Sequence, residues 1–496
     1  MRGVYTPVTK IRRQIFTEIA RLAFEGWSHE KVEELPYKII SGEIPQYRDS
    51  VFKERAIVGE RLRLAMGLPL RDINDNAPIS KGLSDDMLIN QAYELPLINV
   101  IPFACNACPE TSYMVTDNCR HCLAHPCVSV CPVSAIQFTA EGTVIDQDKC
   151  LKCGRCKEVC PYSAIVKYDR PCAAACGVKA IGSDHLGRAK IDYDKCVACG
   201  QCIVSCPFGA ITDKSQLFQL ATALKEGVPV VAEVAPSFVG QFGPAATPDK
   251  VKAALKLIGF ADVVEVGWGA DRGTVEEVHH YAKHVATGEA RFLATSCCPA
   301  WSVMAKNEFP EISQYLSQAY TPMVETARHV KKTHPDHKVA FIGPCSAKKL
   351  EAMRRTIRSD VDYVITFEEL MGMFAAKDVD FGEIEGEPFA DAAPEGRGYA
   401  VSGGVAGAIA NGVHKLYPEV EVKMDRAEGL ANCKKMLAIA KAGKREGYLM
   451  EGMACVGGCV AGPGTLQPIN KATAAVNKFK AESPIDLFEG EGEEDQ

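Results

Sequence analysis

The residues best placed to do chemistry are the adjacent cysteines of Ala294-Thr295-Ser296-Cys297-Cys298-Pro299-Ala300-Trp301. Neighbouring side chains diverge, so one thiol is expected to hold a compact cofactor and the other to stay free. Two later stretches share this composition: Gly343-Pro344-Cys345-Ser346-Ala347-Lys348-Lys349, and Glu451 to Gly464, which contains Met453, Cys455 and Cys459. Each is a loop of glycine, proline and small residues that lets backbone approach a bulky group closely. One such loop alone reads more readily as a buried structural cysteine. Three in one chain point to a shared site.

Sixteen of the 22 cysteines lie between Cys105 and Cys206. Cys150, Cys153, Cys156 and Cys160-Pro161 form a complete ferredoxin run, and Cys196, Cys199, Cys202 and Cys206-Pro207 repeat it. In such a run a tight loop presents three thiolates to three irons, and a distant fourth closes the cube. A zinc ribbon would use paired CxxC units instead. The fourth cysteine of one run ligates the cluster of another, which pairs Cys206 with the Cys150 loop and Cys160 with the Cys196 loop. Cys119, Cys122, Cys127 and Cys131 form a looser run, and Cys105-Cys108 and Cys172-Cys176 two half-runs. The same rule assigns Cys176 to Cys119, Cys122 and Cys127, and Cys131 to Cys105, Cys108 and Cys172. Sixteen divided by four gives four 4Fe–4S clusters, a conductor between a surface and a buried site. His121 and His125 lie inside the looser run as candidate ligands or hydrogen-bonding groups.

The surrounding chain must position these loops. Its 496 residues suggest roughly three domains. Hydrophobic residues make up 47% and charged residues 24%, enough for a sizeable core. A net charge of −7 without a dense basic run argues against nucleic acid. No apolar stretch approaches the roughly 18 residues of a membrane span. The N-terminus lacks an apolar leader, Arg12-Arg13 only weakly resembling a twin-arginine signal, and so many thiols fit a reducing cytoplasm better than a disulfide scaffold. Residues 1–100 carry no cysteine and read as a helical segment, with helices over 8–24 and 50–66 and breaks at Pro36, Gly42 and Pro45. Residues 101–212 form the cysteine module. Residues 213–480 alternate strands (228–234, 262–266, 338–342, 362–366) with helices (274–286, 367–376), the pattern of an α/β domain whose ligands sit beyond the carboxyl ends of strands. Ala235-Pro236-Ser237 and Gly343-Pro344-Cys345 fall at such ends. Ser402-Gly403-Gly404 opens a helix and is weak evidence of a phosphate site. Residues 481–496 read as a frayed acidic tail.

Thr295-Ser296-Cys297-Cys298-Pro299-x-Trp301, Pro344-Cys345-x-x-Lys348-Lys349-x-Glu351 and Glu451-x-Met453-Ala454-Cys455-x-Gly457-Gly458-Cys459 resemble the three motifs of the iron-only (FeFe) hydrogenases. The resemblance covers residues 213 to 465 and implies an α/β catalytic domain of that type behind an α+β ferredoxin-like multi-cluster module and a helical N-terminal segment. It implies a 4Fe–4S cube bridged to a diiron unit carrying CO, cyanide and a dithiolate amine. Cys298, Cys345, Cys455 and Cys459 would hold the cube, Cys459 bridging. Cys297 would be the free thiol that passes protons to the amine. Lys348 would meet a cyanide that balances its charge, Pro236 and Ser237 would surround the other cyanide, and Met453 would pack on the diiron unit. Glu277 and Ser317 would continue the proton path, with ferredoxin as electron partner and maturation proteins supplying the diiron unit.

The chain departs from the family pattern. Gly343 stands where methionine is common, and Met323 where glutamine is usual. His280 and His284 replace outer members of the proton path, and Gly462-Pro463 interrupts a glycine run. These departures resemble a divergent monomeric branch. Alternatives are an Fe–S scaffold related to eukaryotic assembly factors, an H2 sensor, and an electron-bifurcating subunit. Cys433 is expected to be a buried free thiol.

Overall fold

The computed structural model describes residues 4–84, 93–140, 142–354, 356–357 and 360–489. At the N-terminus, helices Pro7–Glu25, His29–Ile39 and Val51–Ala65 form a collar against the catalytic domain and the module. Pro36, read from sequence as a break, lies inside the second helix. Burial of Val32, Leu35 and Pro36 itself outweighs the one hydrogen bond that proline forgoes.

The cysteine module is one ferredoxin-like unit inserted in another. The outer unit is closed by strand Ile98–Val100 pairing antiparallel with Ile211–Asp213. The inner unit is closed by Ser112–Val115 pairing with Ile165–Tyr168. Four cysteine loops repeat one backbone. The residue before the second cysteine of each CxxC is left-handed: Ala107, His121, Lys152 and Ala198. So is the third residue after each fourth cysteine: Ser134, Ser163, Lys179 and Gly209. The next amide then donates to that cysteine's sulfur, from Ala135 to Cys131, Ala164 to Cys160, Ala180 to Cys176 and Ala210 to Cys206, at 3.2–3.4 Å. The looser run and the half-runs therefore take the same fold as the two complete runs.

The catalytic domain holds two parallel sheets. One has the order Asp262–Glu265, Val230–Val234, Lys338–Gly343, Tyr363–Thr366. The other has Phe292–Ala294, Tyr448–Met453, Lys423–Glu428. These strands are short and mostly buried on both faces, as expected of parallel sheets covered by helices. The helix expected at 274–286 begins earlier, as Val266–His280, and continues as a π-helical turn, Tyr281–Val285. Its glycines serve packing rather than a turn: a Cβ on Gly269 would lie 2.5 Å from both the Pro322 carbonyl and the Thr326 hydroxyl. The tail is ordered further than expected. Phe488 is buried beside Val278, and Lys415 pairs with Asp486 at 2.8 Å.

Buried Lys349 joins module to catalytic domain. Its ammonium bonds Asp213 Oδ2 at 2.9 Å, Glu369 Oε1 at 2.8 Å and the Lys214 carbonyl at 2.9 Å. Ser346 Oγ adds a bond to Asp213 at 3.0 Å. Glu369 also closes a capping box with Thr366 at the head of helix Phe367–Ala376.

Candidate active site

Both sheets end at one cavity. After Val230–Val234 come Ala235, Pro236 and Ser237; after Phe292–Ala294, Cys297 and Cys298; after Lys338–Gly343, Pro344 and Cys345; after Tyr448 to Met453, the loop to Cys459. All of these line the cavity, with Lys348, Met323, Met453, Tyr399 and Phe341. The first and third motifs interlock through Trp301. Its indole donates to the Thr295 carbonyl at 2.8 Å, and its ring covers Gly452 so closely that a Cβ there would lie 2.3 Å away. Gly343 has a comparable cause, because the Phe341 ring fills the space a side chain would take. Cys455 lies on the module's side, its sulfur accepting from Gln201 Nε2 at 3.1 Å.

Burial raises the thiols of Cys297, Cys298, Cys345 and Cys459. Cys345 is pushed up to about 11 and Cys459 to about 12, while Cys298 also rises. Cys297 rises well above the ordinary thiol value, through burial first and then the neighbouring Cys298 and Glu277. Glu277 is raised to about 7 by burial, against a hydrogen bond from Ser317 that lowers it. Cys297, Glu277 and Ser317 thus run outward from the cavity in one line of neighbours. His280 and His284 follow on the outer part of the same helical stretch, ring centres 5.0 Å apart, with His284 Nδ1 2.6 Å from Glu289. Burial lowers His280.

Lys348 differs from expectation. Its ammonium is 2.7 Å from Glu351 Oε2, so a protein carboxylate already balances the charge assigned to a cyanide. Burial pushes Lys348 down, but Glu351 and the thiols of Cys345 and Cys297 more than offset it. The spacing was readable: residues three apart share a helix face. The helix start at Gly403-Gly404 is filled by Glu451, which accepts from Gly403 N at 2.7 Å and Ala406 N at 2.8 Å, leaving no phosphate site there. Tyr399 and Thr274 carried no sequence signal of their own. Tyr399 faces the cavity with its hydroxyl 2.8 Å from Thr274 Oγ1. Cys433 is a buried thiol directed at the Ala427 and Met453 carbonyls.

The module's tetrads differ from the grouping inferred from spacing. Cys119, Cys122, Cys127 and Cys160 line one cavity. Cys131 packs with Cys150 and Cys156, and Cys153 faces Cys156. Cys176 faces Cys196, Cys199 and Cys202. Cys105, Cys108 and Cys172 gather around Cys206. The exchange of fourth cysteines holds, but within each nested unit, because insertion of the inner unit splits the outer one in sequence. Among the described residues no three metal-binding side chains converge on one ion. A cubane spreads its thiolates over separate irons, so the tetrads suit clusters rather than single ions. Cys199 lies near Cys345, which places the Cys176–Cys196–Cys199–Cys202 tetrad beside the catalytic loops.

Residues 228–463 match the profile of the iron-only hydrogenase large subunit, C-terminal domain. The part of the chain that carries the three motifs is of the iron-only hydrogenase type. Residues 119–169 match an LdpA Fe–S cluster-binding domain, coincident with the inner unit, and 189–212 a 4Fe–4S binding domain. Iron hydrogenase 1 of Clostridium pasteurianum is 29% identical over 378 residues, 66% of this chain and 65% of that protein. The NADP-reducing hydrogenase subunit HndD of Solidesulfovibrio fructosivorans is 27% identical over 366 residues, 64% of this chain and 55% of that one. The periplasmic hydrogenase large subunit of Nitratidesulfovibrio vulgaris is 28% identical over 390 residues, 66% of this chain and 89% of that protein. The chain thus matches slightly under two thirds of the clostridial protein and about half of HndD. Among the described residues no helix is long and apolar enough to cross a membrane.

The site fits the family's cofactor. Four soft thiol donors stand on the loops, and burial holds those of Cys298, Cys345 and Cys459 neutral until a metal ionises them. Ser237 Oγ is buried in the cavity wall with no partner among the described residues, a donor available to a bound group.

Proposed function

We propose that this hydrogenase-family chain interconverts H2 with two protons and two electrons. The observation that supports the reading is the difference within one dipeptide: Cys298 faces Cys345 and Cys459, while Cys297, which also faces Cys459, is the thiol beside Glu277. Cys298, Cys345, Cys455 and Cys459 would hold a 4Fe–4S cube, with Cys459 bridging to a diiron unit that carries CO, cyanide and a dithiolate amine. When bound, that group supplies an open iron position and an amine base for splitting H2.

The chain's own residues do the rest. Cys297 holds a proton on its sulfur and exchanges it with the Glu277 carboxyl, which Ser317 holds through a hydrogen bond. Glu277 sits near pH 7, so it takes and releases protons under ordinary conditions. Lys348, fixed by Glu351, presents an ammonium to the cavity, and Ser237 adds a hydroxyl. Apolar Met453, Met323, Phe341 and Val266 exclude water. The four tetrads would carry electrons to a ferredoxin-like carrier, and maturation proteins would deliver the diiron unit. The test is protein matured with a diiron unit, assayed with H2 and a viologen and by infrared spectroscopy. H2-dependent viologen reduction with CO and cyanide bands is expected; iron-loaded protein lacking both would leave a cubane scaffold.

A further inference from the structure

The four tetrads differ in the charge set around them. Cations along the loops of three of them, Arg120, Lys152, Arg155, Lys157, Lys179 and Lys195, are exposed. The fourth, Cys105, Cys108, Cys172 and Cys206, lies between two buried guanidiniums. Arg61, on the collar helix Val51–Ala65, is 6% exposed and donates to the Gly209 carbonyl, three residues past Cys206. Arg170 is 4% exposed and donates to the Cys108 carbonyl at 2.7 and 3.0 Å and to the Gly182 and Gly187 carbonyls, both at 2.8 Å. Arg48 clamps the same loop from outside, donating to the Phe208 carbonyl at 2.7 Å.

Among the described residues neither Arg61 nor Arg170 has a carboxylate within ion-pair distance. Glu368, the carboxylate that acts on Arg61, is already paired with Arg12. The remaining neighbours that can carry negative charge are cysteines, once a cluster ionises them: Cys206 for Arg61, Cys108 and Cys172 for Arg170. A buried, unpaired guanidinium is costly. A thiolate-bound cubane is a net anion and supplies the missing counter-charge. One-electron reduction adds a further negative charge there with no bond made or broken. Desolvated guanidiniums favour that change, whereas exposed lysines are screened by water and salt.

We propose that Arg61 and Arg170 make the cluster of Cys105, Cys108, Cys172 and Cys206 the most readily reduced of the four. This rests on the reading that every tetrad carries a cubane. Cys172 lies near Cys202, and Cys199 near Cys345, so this cluster is second from the cavity. It would hold one electron close to a site that handles electrons in pairs. The collar thereby gains a redox role in the hydrogenase.

The test uses the full chain reconstituted with iron and sulfide, titrated with dithionite and followed by electron paramagnetic resonance. In the unaltered protein one module signal is expected to appear before those of the other three module clusters and of the cube on the catalytic loops. Arg61→Met and Arg170→Met should each weaken reduction of that same signal at least tenfold, leaving the others in place. Arg61→Lys, which keeps the charge, should retain most of it, and Arg155→Met, at an exposed cation, should change nothing. Unmoved signals, different signals moved by the two arginines, or an equal shift from Arg155→Met would overturn the proposal. If Arg61→Met does not fold, Arg170→Met decides alone. Iron and sulfide counts below five cubanes in the unaltered protein, four in the module and one on the catalytic loops, would instead overturn the cluster reading beneath it.

Discussion

In the cysteine module every tetrad is built on the same backbone turn, used four times; in the catalytic domain the cysteines share no repeated turn, Cys298 and Cys345 each capping a helix behind a strand and Cys455 and Cys459 lying in the loop after Met453. The repeated turn stores its instructions locally. A left-handed residue inside CxxC and an amide aimed at the fourth sulfur follow wherever the short spacing occurs. The catalytic loops have no such local code. They meet because two parallel sheets end at the same place and because Trp301 and Lys349 lock separate segments together. A tetrad on repeated turns can be lost singly, whereas a cavity made by convergence is lost as a whole.

The sharpest way to test the convergent half is to remove one atom from it. Cys297→Ser keeps the shape but replaces a thiol with a hydroxyl that is a far weaker acid. Loss of positioned proton transfer should lower H2 turnover by roughly 10²-fold or more. Infrared bands and iron content should stay unchanged, since Cys297 is not among the proposed ligands. Loss of the bands together with turnover would make it a ligand instead.

The repeated half is tested by the partner of its fourth cysteine. Cys160→Ser should remove the cluster of Cys119, Cys122 and Cys127 and about four irons. The resonance signal of the cluster beside the catalytic loops should remain, because Cys176 completes that tetrad. Spacing alone paired Cys160 with the Cys196 loop, and loss of the catalytic-side cluster would restore that pairing.

That contrast marks what could be read from the chain. The two complete runs, the strand ends carrying Pro236 and Cys345, and the three cysteine motifs were visible because each depends on residues close in sequence. The pairing of fourth cysteines was not, because it depends on one unit being threaded through another, and spacing is silent about nesting. Gly267 and Gly269 fell outside the helix expected at 274–286, because glycine marks both turns and close helix packing, and only the neighbouring Ala392 and Pro322 tell which. The Lys348–Glu351 pair was legible as an i,i+3 contact, yet attention to a cofactor's charge drew the lysine away from it. Arg61 and Arg170 were invisible because nothing in a sequence says that a charge will be buried.

The seam between the halves depends on one ammonium. Lys349→Met leaves Asp213 and Glu369 buried without their cation, which should cost about 3–5 kcal/mol. Denaturant melting should show the module separating from the catalytic domain earlier than in the unaltered chain. A single coincident transition of unchanged midpoint would mean that the apolar contacts between the halves suffice.

Glu277 gives a smaller effect with a definite sign. Burial raises its carboxyl from 4.5 to about 7, so the folded state holds the proton more tightly than the unfolded state. The stabilisation is complete below pH 4.5 and disappears as pH rises through about 7. Glu277→Gln, which mimics the protonated form, should therefore be about as stable as the unaltered chain at pH 5 and more stable, by a few kcal/mol at most, at pH 8. The same replacement should abolish a titration near pH 7 in the rate of H2 oxidation, where the carboxylate must accept the proton. An unchanged pH profile would take Glu277 out of the path.

The smallest effect is expected at Tyr399, and its direction follows from counting protons. Thr274 has one hydroxyl proton and donates it to the Ala270 carbonyl at 2.8 Å. The 2.8 Å bond between Thr274 and Tyr399 must then run from the tyrosine hydroxyl to the threonine oxygen. That commits the tyrosine's only proton and leaves its oxygen as an acceptor beside Cys297 and Glu277, whose charges both bear on it. Tyr399 can steady a protonated thiol or carboxyl but cannot pass a proton on. Tyr399→Phe should cost about 1 kcal/mol of stability for the lost hydrogen bond and lower turnover less than tenfold, with no solvent isotope effect of its own. A loss as large as that of Cys297→Ser would mean that the tyrosine carries protons and that Thr274 points the other way.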